Sequence, residues 1–127
     1  MDQRPVYLDL TKIRLPMSAF SSITHRLSGM YVFFITLPVM LYLIYQSTSS
    51  KFNYENLLID LSALSYLSLF VYISLLIFWY HILTGIRHLI MDFLHIGESL
   101  HASNNSAIFV LVFWVISSIS FLTYIYI

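Results

Sequence analysis

Three long stretches of the chain carry no Asp, Glu, Lys or Arg: Leu27 to Ser50, Leu61 to Ile86, and Ser99 to Ile127. Each exceeds the ~20 residues that a helix needs to cross ~30 Å of hydrocarbon. The pattern predicts three transmembrane helices, over about 19–45, 57–94 and 107–127. Met1 to Met17 is polar and extended in character, because Pro5 and Pro16 interrupt any helix there. It forms an N-terminal segment (1–17) ahead of a single membrane-anchor domain (18–127). Ser18 reads as the N-cap of the first helix, and Pro38 predicts a kink inside it that neighbouring helices can tolerate. Gln46 to Asn56 reads as a turn rich in Ser, Thr and Asn. His95 to Ser106 reads as the second loop, with Gly97 and the Asn104-Asn105 pair as breakers. The third helix, without histidine or charge, reads as a plain packing element.

Composition makes the bilayer the solvent. Of 127 residues, 59% are hydrophobic and 9% charged, more apolar surface than a soluble domain of this size can bury. The expected class is an all-α membrane protein. The first apolar run does not read as a cleavable signal, since Arg4, Lys12, Arg14 and Arg26 precede it with no small-residue cleavage site. Without cysteine the chain offers no disulfide, no zinc thiolate and no iron–sulfur ligand. Zero net charge argues against nucleic-acid binding. Too little chain lies outside the membrane for an independent soluble catalytic domain.

The basic residues set an expected orientation. Arg4, Lys12, Arg14 and Arg26 lie on one side with Arg87, and only Lys51 lies on the other. The positive-inside rule places the N-terminus and the second loop in the cytoplasm and the C-terminus across the membrane. Tyr42, Tyr45, Trp79, Tyr80, Tyr124 and Tyr126 read as interfacial belts.

The candidate chemistry lies in two polar clusters on that same side. In the second helix His81, Gly85, His88 and Asp92 fall at i, i+4, i+7 and i+11, along one face. A histidine in hydrocarbon needs a partner or holds something. His81 is open to three readings here: a buried imidazole bonded to another helix, a proton relay, or a metal or haem ligand. Gly85 clears space for a flat cofactor or for a closely packed helix. His88, ~10 Å from His81 along the axis, is too far to be the opposite ligand of one iron but suits a cofactor's polar edge or a bridge to Asp92. Asp92 also reads as a boundary carboxylate partnering Arg87 or His88. Arg87 points elsewhere and is expected to snorkel to water. In the first helix Ser18, Ser22, His25, Arg26 and Gly29 share a face, and its hydroxyls suit a carbonyl ligand, with Arg26 for an anion.

At these segments the chain resembles the cytochrome b large membrane anchors of succinate dehydrogenase (complex II). The matching pieces are Arg4-Pro5-Val6-Tyr7-Leu8-Asp9-Leu10, Ser22-Ile23-Thr24-His25-Arg26-Leu27-Ser28-Gly29, and His81-Ile82-Leu83-Thr84-Gly85-Ile86-Arg87-His88-Leu89-Ile90-Met91-Asp92. The opening Arg-Pro-Val-x-Leu-Asp-Leu looks like the proteobacterial cytochrome b556 form. The resemblance implies three helices bundled with a second, small anchor subunit that supplies one axial histidine to a shared haem b, His81 supplying the other. It places His25, Arg26 and His88 near the haem propionates, and Ser22, Ile23 and Arg26 at a ubiquinone site. Asp92 and Glu98 would lie on a proton path to the quinone. A flavoprotein and an iron–sulfur subunit would deliver electrons, in a bacterial inner membrane with the N-terminus cytoplasmic and the C-terminus periplasmic. The chain would then be a subunit of succinate:quinone oxidoreductase, not catalytic alone. Spacing by itself leaves His25 open as the second axial ligand. It also leaves open a cofactor-free membrane adaptor and a transporter's proton-relay subunit built on His81, His88 and Asp92.

Overall fold

A computed structural model describes residues 15–62 and 64–126, all helical apart from short connections. Helix α1 (Met17–Tyr31) runs through a five-residue π turn (Val32–Thr36) into α2 (Leu37–Ser49). Then follow α3 (Lys51–Ser62), α4 (Tyr66–Leu94) and α5 (Leu100–Tyr126). Three spans are long and apolar enough to cross a membrane: Met17–Ser49, Tyr66–Leu94 and Leu100–Tyr124.

Local chemistry explains where these boundaries depart from the sequence expectation. The first helix starts at Met17, not after Ser18, because the Pro16 carbonyl accepts the N–H groups of Ala19 and Phe20. Ser18 does not cap; its own N–H donates to Asn104 Oδ1 at 3.0 Å, so α5 caps α1 from outside. Pro38 has no N–H to offer the Phe34 carbonyl, and the ladder ahead of it widens until Leu37 N–H reaches Val32 O. The expected kink thus takes the form of a π turn. The expected turn at Gln46–Asn56 is mostly helix. Ser47, Thr48 and Ser49 fold their hydroxyls back onto the carbonyls of Ile44 and Tyr45, which lets a polar run stay helical. Only Ser50 is extended, and its Oγ accepts Asn53 N–H at the start of α3. The second span therefore starts at Tyr66 rather than Leu57. There Ser65 and Ser68 exchange hydrogen bonds in a capping box. It ends at His95, whose φ of 52° is the left-handed cap that glycine usually supplies. The third helix begins at Leu100, seven residues earlier than Ala107, so Asn104 and Asn105 are helical rather than breakers.

The bundle is polar inside and apolar outside. Among the described residues the buried set is Ser21, Ser28, Thr36, Ser68, Ser74, Thr84, Arg87, Ser103 and Ser118, with only Leu57 and Ala107 as apolar members. The phenylalanines and most of the leucines face outward. In a bilayer that order is favourable, because lipid tails solvate apolar side chains as well as a core does. Small hydroxyl residues let backbones approach and bond across helices. Helix α1 packs on α4 and α5, and α4 on α5.

Candidate functional site

Helix α1, the last four turns of α4 and the start of α5 meet at one end of the bundle. Antiparallel packing of α1 on α4 brings the two sequence clusters together. Thr24 Oγ1 bonds the Tyr80 hydroxyl at 2.5 Å, and deeper in, the Tyr31 hydroxyl bonds Ser74 Oγ at 3.1 Å.

Next to the Thr24–Tyr80 rung sits a reciprocal arrangement. The pentads His25-Arg26-Leu27-Ser28-Gly29 and His81-Ile82-Leu83-Thr84-Gly85 share the pattern His-x-x-Ser/Thr-Gly. His81 Nδ1 lies 3.0 Å from Ser28 Oγ, and His25 Nδ1 lies 2.8 Å from Thr84 Oγ1. The His81 ring rests on Gly29, where an added Cβ would meet Cε1 at 3.0 Å. The His25 ring rests on Gly85, where the same distance would be 3.3 Å. Each glycine thus makes room for the other helix's imidazole. The gap expected at Gly85 is occupied by a closely packed helix. The two rings stack with centroids 4.3 Å apart and planes 2° from parallel. His88 joins from one side, its centroid 5.1 Å from that of His25 at a 48° tilt.

Donor and acceptor roles follow from the hydroxyls. Ser28 Oγ lies 2.7 Å from the carbonyl of His25, and Thr84 Oγ1 lies 2.8 Å from that of Tyr80. A carbonyl only accepts, so each hydroxyl proton points at it, leaving a lone pair for the imidazole. Both histidines are then protonated at Nδ1. The His25 carbonyl, 3.3 Å from His81 Nδ1, agrees with that tautomer. Each Nε2 keeps its lone pair and takes no hydrogen bond among the described residues. An imidazole bonded through Nδ1–H with a bare Nε2 has the form of a metal ligand held by its outer partners. Among the described residues no three His, Cys, Asp or Glu side chains gather to hold a metal ion.

The remaining expected residues sit around this pair. Ser22 is half-buried, Ile23 and Arg26 are exposed, and neither Ser22 nor Arg26 makes a side-chain hydrogen bond among the described residues. Arg26 lies within electrostatic reach of His88 on α4. Asp92 is exposed and makes no ion pair with Arg87 or His88. Glu98 accepts from His95 Nδ1 at 2.6 Å in the loop after α4.

Two expectations are overturned on the other face of α4. Arg87 does not snorkel to water. It is 5% exposed and spans to α5, with Nε on Ser106 Oγ at 2.9 Å and Nη2 on Ser103 O and Oγ at 2.8 and 3.0 Å. Three acceptors within reach on a neighbouring helix outweigh the snorkel to water. Nor do Trp79 and Tyr80 form a belt, since both lie mid-helix and bond across the bundle. Trp79 Nε1 donates to Ser117 Oγ at 2.9 Å, and Tyr80 packs edge-on to Trp114. Helix α5 is therefore more than packing, holding Arg87, Trp79 and, through Asn104, the start of α1.

Sequence reading singled out the histidines and glycines and passed over the working hydroxyls of Ser28 and Thr84. The repeated pentad was the available signal.

The fold and site define a class, a multi-pass helical membrane protein with paired intramembrane histidines at one end. Residues 1–121 match the family described as succinate dehydrogenase/fumarate reductase transmembrane subunit, and the chain belongs to that family. It is 42% identical over 90 residues to the succinate dehydrogenase cytochrome b556 subunit of Coxiella burnetii (strain RSA 493 / Nine Mile phase I), covering 71% of each chain. It is 38% identical to the succinate dehydrogenase cytochrome b560 subunit of Porphyra purpurea, over 70% of this chain and 71% of the other.

Proposed function

We propose that this chain is the large membrane anchor of a succinate:ubiquinone oxidoreductase, holding haem b through His81 and forming part of the quinone-reducing site. The observation that carries the reading is the His81 imidazole, held at Nδ1 by Ser28 and without a hydrogen bond at Nε2 among the described residues, inside a membrane span. The residues fit a haem with half its coordination elsewhere. His25 and His81 are stacked, so their Nε2 lone pairs lie in two parallel planes and do not converge on one iron. His25 is thereby disfavoured as the second axial ligand, and a small anchor subunit is the natural source of it. Bound there, the haem supplies a one-electron carrier beside the quinone site.

This chain's own part is to bind, orient and conduct protons. Ser22 and Arg26, without a side-chain hydrogen bond among the described residues, offer a hydroxyl and a guanidinium to a quinone carbonyl, with Ile23 exposed beside them as an apolar wall. Arg26, His25 and His88 supply the polar edge for the haem's carboxylates. Asp92 and the His95–Glu98 pair stand at the same end, exposed, where protons for the quinone can enter. Electrons come from iron–sulfur and flavin partners, since the chain has no thiol to hold a cluster. The membrane is the bacterial inner membrane, with this end facing the cytoplasm.

The test uses the assembled complex. His81→Leu should abolish the b-type band in reduced-minus-oxidised spectra while the anchor still inserts; an unchanged band overturns the haem reading. Ser22→Ala and Arg26→Leu should depress quinone reduction by ten-fold or more and spare succinate oxidation by an artificial acceptor. An equal fall in both activities would make those residues structural.

A further inference from the structure

We infer that Ser28 is a positioning residue for His81, holding its ring plane and, as the closer acceptor on Nδ1–H, raising the electron richness of its other nitrogen. The inference rests on the reading of His81 as a haem ligand and goes beyond it by naming what tunes that ligand.

Four observations converge on Ser28. Its Oγ is 3.0 Å from His81 Nδ1 and 2.7 Å from the His25 carbonyl. The carbonyl contact takes the hydroxyl proton, so toward the imidazole Ser28 is an acceptor only. Ser28 is 7% exposed, which shields the bond from competing water. Gly29, next in sequence, has no side chain, and the Cε1 corner of the ring sits where a Cβ would stand, 3.0 Å away. The other face of the ring is covered by His25. Ser28 on α1, seconded by the His25 carbonyl, therefore holds the proton on Nδ1 of an α4 histidine and is the closer acceptor of the two.

The consequence is electronic. An acceptor on Nδ1–H gives the ring some imidazolate character and makes Nε2 a stronger donor to a metal. A stronger axial donor favours the oxidised iron, so loss of the acceptor raises the midpoint potential. The second acceptor, the His25 carbonyl at 3.3 Å, is longer and keeps Nδ1 protonated when Ser28 is gone. A shift in potential is thus expected, and not loss of the ligand.

The experiment compares wild type with Ser28→Ala, Ser28→Cys and Ser28→Thr in the intact complex. The readouts are haem content, midpoint potential by redox titration, and the low-spin EPR signal, which reports axial ring orientation. Ser28→Ala should retain haem, move the potential upward and change the EPR signal, and Ser28→Thr should return both toward wild type. Wild-type values in Ser28→Ala overturn the inference. Should Ser28→Ala not assemble, Ser28→Cys, near-isosteric and a far weaker acceptor, answers the same question. An upward shift there supports the role, and an unmoved potential sinks it. The two readings fail separately: haem that survives His81→Leu removes the ligand reading, whereas haem lost with His81 but indifferent to Ser28 removes only this one.

Discussion

Helix α4 presents two polar faces to its neighbours, and they differ in what they leave over. Toward α5, Arg87 reaches three acceptors, and Trp79 is matched by Ser117. Toward α1, His81 and His25 each bond one ring nitrogen, and among the described residues the other takes no hydrogen bond. Both faces bury polar atoms at a cost that hydrogen bonds must offset. Leaving a lone pair unmatched in such a place is unfavourable unless a ligand takes it. The α5 face reads as structure, and the α1 face is the one to which the proposed function assigns a cofactor.

The largest effect expected from breaking this contrast is at Arg87. Lysine keeps the charge but cannot fork to Ser106 and Ser103 together. Hydrogen bonds to a charged group are worth about 1.5–3 kcal/mol each, so Arg87→Lys should lower the unfolding free energy of the anchor by about that amount. Thermal melting of the detergent-solubilised complex measures it. The haem band should keep its position while the melting temperature falls, the reverse of the pattern expected at His81. A displaced band with unchanged melting would erase the distinction between the faces.

Much of this was legible in the chain. Charge-free runs gave the number of spans, because hydrocarbon tolerates few charges. Helical spacing placed His81, Gly85, His88 and Asp92 on one side, because a helix is locally rigid. What spacing cannot supply is the relative depth of two helices. Whether Ser28 or Ser22 meets His81 depends on register between α1 and α4. That register comes from tertiary contacts such as Thr24 with Tyr80. The same limit explains Arg87. From its own helix it looks like a boundary cation, and only α5, starting seven residues early, brings Ser103 and Ser106 within its reach. Serine and threonine misled at Gln46–Asn56 for a different reason: in a membrane span their hydroxyls bond their own helix instead of breaking it.

A middle-sized effect should separate the two glycines within the α1 face. A methyl at Gly29 would sit 3.0 Å from His81 Cε1, on a ring pinned by Ser28 and His25. Something must shift. A methyl at Gly85 would sit 3.3 Å from His25, which a few tenths of an ångström of give can relieve. Gly29→Ala should therefore displace the haem band and EPR signal clearly, and Gly85→Ala much less. Equal displacement would remove the distinction that makes His81 and not His25 the proposed ligand.

The smallest effect is expected at Trp79, and it is the most discriminating. Trp79→Phe removes the bond to Ser117 Oγ, a hydroxyl that also donates to the Trp114 carbonyl at 3.1 Å. Ser117 and Ser28 are chemically alike, each folded onto a carbonyl of its own helix and each accepting from an aromatic N–H on α4. Cross-helix bonds of this kind in membranes average about 0.6 kcal/mol, so removing either should lower stability by about that much. In melting experiments Trp79→Phe and Ser28→Ala should look the same. In redox titration they should not, because the indole has no free nitrogen to pass the change on, whereas the imidazole bonded to Ser28 has Nε2. A potential shift in Trp79→Phe as large as that in Ser28→Ala would show the shift to be a general consequence of loosened packing, and the two faces of α4 would no longer be distinct.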